Sequence, residues 1–254
     1  MKRILNTLYI NSPDRYLSLD GENVVIKDEQ REIGRVPIHN IERIMTFGYT
    51  GASPALMGKC AACGIDLIFM SAHGKFLAIV EGEISGNVLL RREQYRIADH
   101  PERSLKIARN IIAAKLYNSK CSAERTVRDH GLRIDTEKFL DHISLIKAAA
   151  IKAAEAESAD SLRRIEGESA QLYFSLFDDM ILQQKDVFKF TIRNKRPPTD
   201  RVNALLSFSY SLMTSMCTSA LEAVGLDPYV GFLHTDRPGR RSLALDLVEE
   251  FRAP

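Results

Sequence analysis

The alternation of apolar and polar positions divides this chain into a strand-forming first third and a helical remainder. Residues 4–10, 16–19, 24–27 and 41–47 are short runs rich in β-branched or aromatic side chains, which predicts four strands. Asp20-Gly21 between two of them predicts a hairpin, because glycine accepts the positive φ that a tight turn needs. Residues 53–63 read as a short helix with Ser53 as N-cap, Pro54 at its first position and Gly64 just past its end. Residues 65–70 and 76–80 then read as a strand pair across His73-Gly74.

From about Leu89 the period changes. Leu105, Ile107, Ala108, Ile111, Ile112 and Leu116 recur at helical spacing, and most of the remaining chain follows suit. The pattern predicts an α+β protein: an N-terminal β-rich domain over 1–88, then a larger all-α domain over 89–254, with the junction near 82–86. Residues 204–224 form the most apolar stretch. Tyr210, a series of Ser and Thr, and Glu222 interrupt it, so it predicts a buried helix and no membrane span. Residues 148–156 read as a solvated, alanine-rich helical run.

Composition describes an ordinary globular protein: 254 residues, 45% hydrophobic and 27% charged. The net charge of +2 announces no nucleic-acid partner, although the basic residues bunch locally. Met1-Lys2-Arg3 leads into an alternating segment that is no signal peptide, and the four cysteines form no dense framework, so a cytoplasmic location is expected. Cys60-Ala-Ala-Cys63 lacks the second ligand pair that zinc needs. His39, His73, His100, His130 and His142 are dispersed and are assigned no chemistry.

Two segments carry candidate chemistry. In the first, Glu166, Ala170 and Tyr173 fall at i, i+4 and i+7, so they share one helical face. Gly167 costs about 1 kcal/mol in a helix interior, yet it lets the backbone approach a ligand such as a phosphodiester. A solvated glutamate on an amphipathic helix accounts for the same residues. In the second segment, Pro238-Gly239 marks a turn and Ser242 is a natural N-cap for a following helix. On that helix Asp246 and Glu249 are three apart among Leu243, Leu245, Leu247, Val248 and Phe251. Carboxylates on so apolar a helix need a compensating charge. A metal supplies one, with His234 close by in sequence, and so do Arg237, Arg240, Arg241 and Arg252. A structural Asp–Arg pair with a capping His234 fits equally. Asn203, Ser207, Tyr210, Thr214 and Thr218 add a polar helical stripe, which either backs the site or serves a tight helix interface.

Taken in order, these motifs have a family likeness. Glu-Gly-x-x-Ala-x-x-Tyr-Phe at 166–174, the segment 197–210 from Pro197-Pro198 through Asn203 to Tyr210, His-x-x-x-Pro-Gly-Arg at 234–240 and Ser-Leu-x-x-Asp-Leu-x-Glu-x-Phe-Arg at 242–252 together resemble the CRISPR-associated integrase of spacer acquisition. Pro37-Ile38, Gly64-Ile65 and Gly74 in the strand-rich start are similar to the family as well, so the resemblance covers nearly the whole chain. It implies that Glu166, His234 and Glu249 bind one Mg²⁺ or Mn²⁺, with Asp246 a further acid of the catalytic centre. Tyr173 and Asn203 are then positioning groups. Basic clusters beside the motifs make Arg91, Arg92, Arg196, Arg201, Arg237, Arg240 and Arg241, with Asn203, the expected DNA contacts.

The implied reaction is transesterification, in which a DNA 3′-hydroxyl attacks a phosphodiester of the CRISPR repeat. The implied partners are double-stranded DNA of protospacer and repeat, a second copy of the chain, and a small ferredoxin-like CRISPR-associated adaptation protein. A stand-alone metal-dependent nuclease of branched or single-stranded DNA would use the same residues with water. A non-catalytic DNA-binding scaffold is the third alternative. Family members continue past Glu-x-Phe-Arg with further helices, whereas this sequence stops at Pro254, which reads as a truncated product.

Overall fold

Short alternating runs punctuated by glycine fold into two small sheets, as seen in a computed structural model that describes residues 6–80, 82, 88–195 and 197–253. The chain forms two compact units, Met1–Ser85 and Gly86–Pro254. Of the expected junction at 82–86, only Gly82 is among the described residues; 83–86 lie outside them.

In the first unit, β1 (Thr7–Ile10), β5 (Arg43–Phe47), β6 (Asp66–Met70) and β7 (Phe76–Val80) form one sheet in that order. The first two pairings are parallel and the last is antiparallel. The second sheet is an antiparallel meander of β2 (Arg15–Asp20), β3 (Asn23–Asp28) and β4 (Arg31–Pro37). Gly21, at φ 55°, opens the β2–β3 turn, one position later than Asp20-Gly21 led us to expect. β4 was not expected. Its sequence carries a mid-strand glycine and its first three residues are exposed, so it lacks the apolar alternation that reveals a strand. Helix α1 (Pro54–Cys63) has the expected ends: Ser53 Oγ accepts from Leu56 N–H at 3.2 Å, and Gly64 adopts the left-handed conformation. Leu17, Val24, Ile44, Leu56, Cys60 and Leu67 are fully buried between α1 and the strands. Burial raises the Cys60 thiol pKa to about 11, and all four cysteines are free.

The second unit contains α2 (Val88–Ala98), α3 (Pro101–His130), α4 (Thr136–Ala154), α5 (Ala159–Met180), α6 (Arg201–Ala223) and α7 (Ser242–Glu249). Asp135, Ser158 and Asp200 cap the N-termini of α4, α5 and α6, each accepting a backbone N–H three residues on. Ala108, Ile112 and Leu116 of α3 pack with Ile146 of α4 and Leu162 and Ile165 of α5 in one core. Residues 148–156 are not simply solvated: Ala153 and Ala156 are buried in that core, because alanine lets the helices approach closely. A second core joins α6 to α7 through Cys217, Leu221, Leu243, Ala244 and Val248. The expected burial of 204–224 therefore holds only for the C-terminal half of α6, since Leu205 and Phe208 are exposed. Among the described residues no helix is long and apolar enough to cross a membrane.

Candidate metal and phosphodiester site

Helices α3, α5 and α7 converge on a cluster of charges. Glu166 comes from α5, and Glu249 is the last residue of α7. Between them stands Lys115 of α3, whose ammonium pairs with Glu166 Oε1 and lies 2.7 Å from Glu249 Oε2. Arg252 Nη2 meets the other oxygen of Glu249 at 3.0 Å. His234 completes the group, with Nε2 4.0 Å from Glu249 Oε1. The Lys115 and Glu249 side chains are only 8% and 4% exposed, so each depends on its partners for charge compensation. Arg252 also lies over the Tyr210 ring at 5.1 Å, with Arg193 at 5.5 Å from the same ring.

Asp246 faces differently from Glu249 despite their spacing of three. Its buried carboxylate accepts the backbone N–H groups of Phe232, Leu233 and His234 at 2.7, 2.9 and 3.0 Å. It also accepts from His234 Nδ1 at 2.6 Å. Four donors saturate it, which leaves no lone pair for a cation. Asp246 thus holds the His234 ring through Nδ1 and leaves Nε2 turned toward Glu249. Ser242 is the first helical residue and not the N-cap; its hydroxyl donates to the Thr235 carbonyl at 3.2 Å and braces the same loop.

Gly231 makes this loop possible. A Cβ there would lie 2.8 Å from Ser242 Cβ and 2.9 Å from Asp246 Oδ2, so only glycine lets the backbone reach the carboxylate. Gly231→Ala is expected to destabilise the helical unit by about 2 kcal/mol, through displacement of the three N–H groups from Asp246. Chemical denaturation checks this, and an unchanged midpoint would mean the loop has room to spare.

Two cavities share Glu166. One, of about 470 Å³, is lined by Arg163, Glu166, His234, Arg237, Arg240 and Glu249, together with Leu233 and Thr235. It is an acidic centre ringed by arginines. The other, of about 550 Å³, runs from Lys115 and Glu166 past Tyr173, Phe174 and Tyr210 to Arg193, Lys195 and Arg252. Desolvation, followed by the nearby guanidinium groups of Arg252 and Arg193, lowers the Lys195 pKa.

Several expected site residues have other work. The Tyr173 hydroxyl is buried and donates to the Ala253 carbonyl at 3.2 Å, and burial raises its pKa. That bond ties α5 to the segment after α7. Asn203 is fully buried, donating to Ile192 O and Asp200 and accepting from Arg193 Nη1 and Asn194 N–H. It ties the 192–200 segment to α6. Arg91 is half-buried and donates to Gly225 O at 3.0 Å, whereas Arg92 and Arg201 are exposed. Arg237 and Arg240 line the acidic cavity; Arg241 is half-buried beside Tyr229. Arg196 lies outside the described residues. Thr214 and Thr218 donate to the carbonyls of Tyr210 and Thr214 within α6, whereas Asn203, Ser207 and Tyr210 of the same stripe bond outside it, to residues 192–194, Arg193 and the Arg252 carbonyl.

Lys115 is the side chain at this cluster that sequence reasoning missed. The signal was its spacing: with Ala108, Ile112 and Ser119 it lies on the buried stripe of α3, where a lysine is unusual.

The donor set suits a hard divalent cation: two carboxylates and an imidazole nitrogen on one cavity. Glu249 Oε2 is buried and, despite its ion pair with Lys115, makes no hydrogen bond. Among the described residues no three His, Cys, Asp or Glu side chains stand close enough to hold a metal as they are. Lys115 occupies the space between Glu166 and Glu249, its ammonium bridging the two.

Comparison with known proteins places nearly the whole chain against one family. Residues 8–254 match the family described as "CRISPR associated protein Cas1". A CRISPR-associated endonuclease Cas1 of Chlorobaculum tepidum is 45% identical over 253 residues, covering 100% of this chain and 74% of the relative. One from Rhodospirillum rubrum is 47% identical over 256 residues, with 99% and 74% coverage. Among solved structures, a Cas1 protein from Thermotoga maritima superposes with a TM-score of 0.77 at 23% identity, covering 98% of this chain and 75% of that one. A casposase bound to its integration product gives 0.76 at 26% identity, with 98% and 70% coverage.

Proposed function

The chain belongs to the Cas1 family, the DNA endonucleases and integrases of CRISPR adaptation, and from that premise we propose that Glu166, His234 and Glu249 form its metal-dependent strand-transfer site. The observation that carries this reading is the cavity in which those three residues meet Arg163, Arg237 and Arg240. Acids at the centre suit a divalent cation, and arginines at the rim suit phosphate oxygens. When bound, Mg²⁺ or Mn²⁺ supplies Lewis acidity and neutralises charge on the phosphodiester.

The protein's own groups do the rest. Asp246 holds His234 so that Nε2 faces the cavity. Arg237 and Arg240 orient the phosphodiester, and Arg163 is anchored through Asp160 and the Leu233 carbonyl. An incoming 3′-hydroxyl forms a new P–O bond while the bond to the departing 3′-oxygen breaks and that oxygen takes a proton. Phosphodiester number is conserved, so no external energy source is needed. Water in place of the 3′-hydroxyl gives cleavage at the same site. The substrates are the double-stranded protospacer and repeat DNA of the cytoplasm. The chain works as a homodimer beside a small ferredoxin-like adaptation protein; complexes of Cas1 with Cas2 are among its structural neighbours.

Joining a labelled protospacer to supercoiled repeat DNA tests this reading. A covalent product that requires Mg²⁺ or Mn²⁺ is expected, and Arg240→Ala should reduce the salt dependence of DNA binding by about one unit of log–log slope. Binding without either joining or cleavage at any metal concentration would leave only a scaffold.

A further inference from the structure

The ion pairs of Lys115 count as a charge balance. Two carboxylates, Glu166 and Glu249, face two cations, Lys115 and Arg252, so the cluster is neutral without any metal. Adding a divalent ion while Lys115 stays in place would leave a surplus of two positive charges beside the nearly buried Lys115 and Glu249 side chains. At the few ångströms separating these groups, such a surplus is repulsive even in a partly solvated site. Lys115 touches the oxygens that a cation needs, and it also lines the neighbouring cavity of about 550 Å³. An unbranched side chain with four rotatable bonds has somewhere to go.

We propose that Lys115 is a resident counter-ion that exchanges with the metal: it holds the empty carboxylates together and withdraws toward the larger cavity when a divalent cation takes them. This inference rests on the metal-site reading of Glu166, His234 and Glu249. The lysine stabilises the metal-free fold, because Glu249 would otherwise be a buried charge with Arg252 alone beside it. In the same act it weakens metal binding. Loading is therefore favoured once a phosphodiester brings negative charge into the adjoining cavity and offsets the surplus.

Calorimetric Mn²⁺ titration of the full chain and of Lys115→Gln tests the exchange. The variant is expected to bind Mn²⁺ roughly tenfold more tightly than the wild type, although without metal it melts at a lower temperature. Saturating Mn²⁺ should close most of that gap, whereas a merely structural lysine would lower melting equally with and without metal. Equal or weaker Mn²⁺ binding by a folded Lys115→Gln protein overturns the proposal. If that variant gives no cooperative melt, Lys115→Arg keeps the charge on a larger head group and should bind Mn²⁺ no more tightly than the wild type; tighter binding overturns the proposal. Absence of Mn²⁺ binding by wild type and variant alike would instead remove the metal-site reading on which the exchange depends.

Discussion

Glu166→Ala is expected to lower metal-dependent strand transfer and cleavage by at least a thousandfold while the helical unit stays folded. A thousandfold loss corresponds to about 4 kcal/mol of transition-state stabilisation, a reasonable share for a group that holds the catalytic cation. The fold should survive because the Glu166 side chain is already 29% exposed and Lys115 retains Glu249 at 2.7 Å. Alanine is also the strongest helix former, so α5 loses nothing locally. Strand-transfer and cleavage assays in Mn²⁺, with a melting curve on the same preparation, check both halves. Wild-type turnover by a folded Glu166→Ala protein would show that the acid lies outside the chemistry.

Asp246→Ala should have the largest effect on stability of any single change at the site. The substitution leaves three backbone N–H groups and one imidazole N–H buried without their acceptor. Breaking a buried charged partner of this kind costs about 3–5 kcal/mol, which for a unit of this size lowers the melting temperature by on the order of 10 °C. Glu249→Ala should instead act first on the cation, weakening Mn²⁺ binding about tenfold more than Asp246→Ala does. Urea denaturation and Mn²⁺ titration of the two variants separate the roles. An Asp246→Ala protein as stable as the wild type would mean that the 232–234 loop is held by something else.

That division of labour was only half legible in the sequence. Asp246 and Glu249 stand three apart on an apolar helix, and spacing says that both are turned inward. It does not say what meets them. Asp246 meets a loop whose approach depends on Gly231, a residue with no signature until the Cβ clash is seen. Glu249 meets Lys115, which lies more than a hundred residues earlier and, taken alone, looks like any solvated helical lysine. The arginines that seemed to offer compensation are split: Arg252 pairs with Glu249, while Arg237 and Arg240 line the open side of the cavity.

The fold shows the same pattern. The hairpin at Gly74 and helix α1 with its Ser53 and Gly64 ends were readable because their signals are local. β4 and the exposure of Leu205 and Phe208 in α6 were not, because a strand with a central glycine and an apolar helix face are decided by what packs against them. The surroundings of Asn203 were hidden for a related reason: nothing in the sequence says that its amide meets Arg193, Asn194, Ile192 and Asp200.

The central claim is that one cation is shared by Glu166, His234 and Glu249, with Asp246 behind the histidine. Crystals grown with MnCl₂ and measured at the manganese absorption edge test it most directly. The expected result is an anomalous difference peak bonded to His234 Nε2 and to oxygens of Glu166 and Glu249, with Lys115 drawn away from both carboxylates. A manganese peak bonded to Asp246, or none in this cavity while Lys115 still bridges Glu166 and Glu249 at saturating metal, would contradict it.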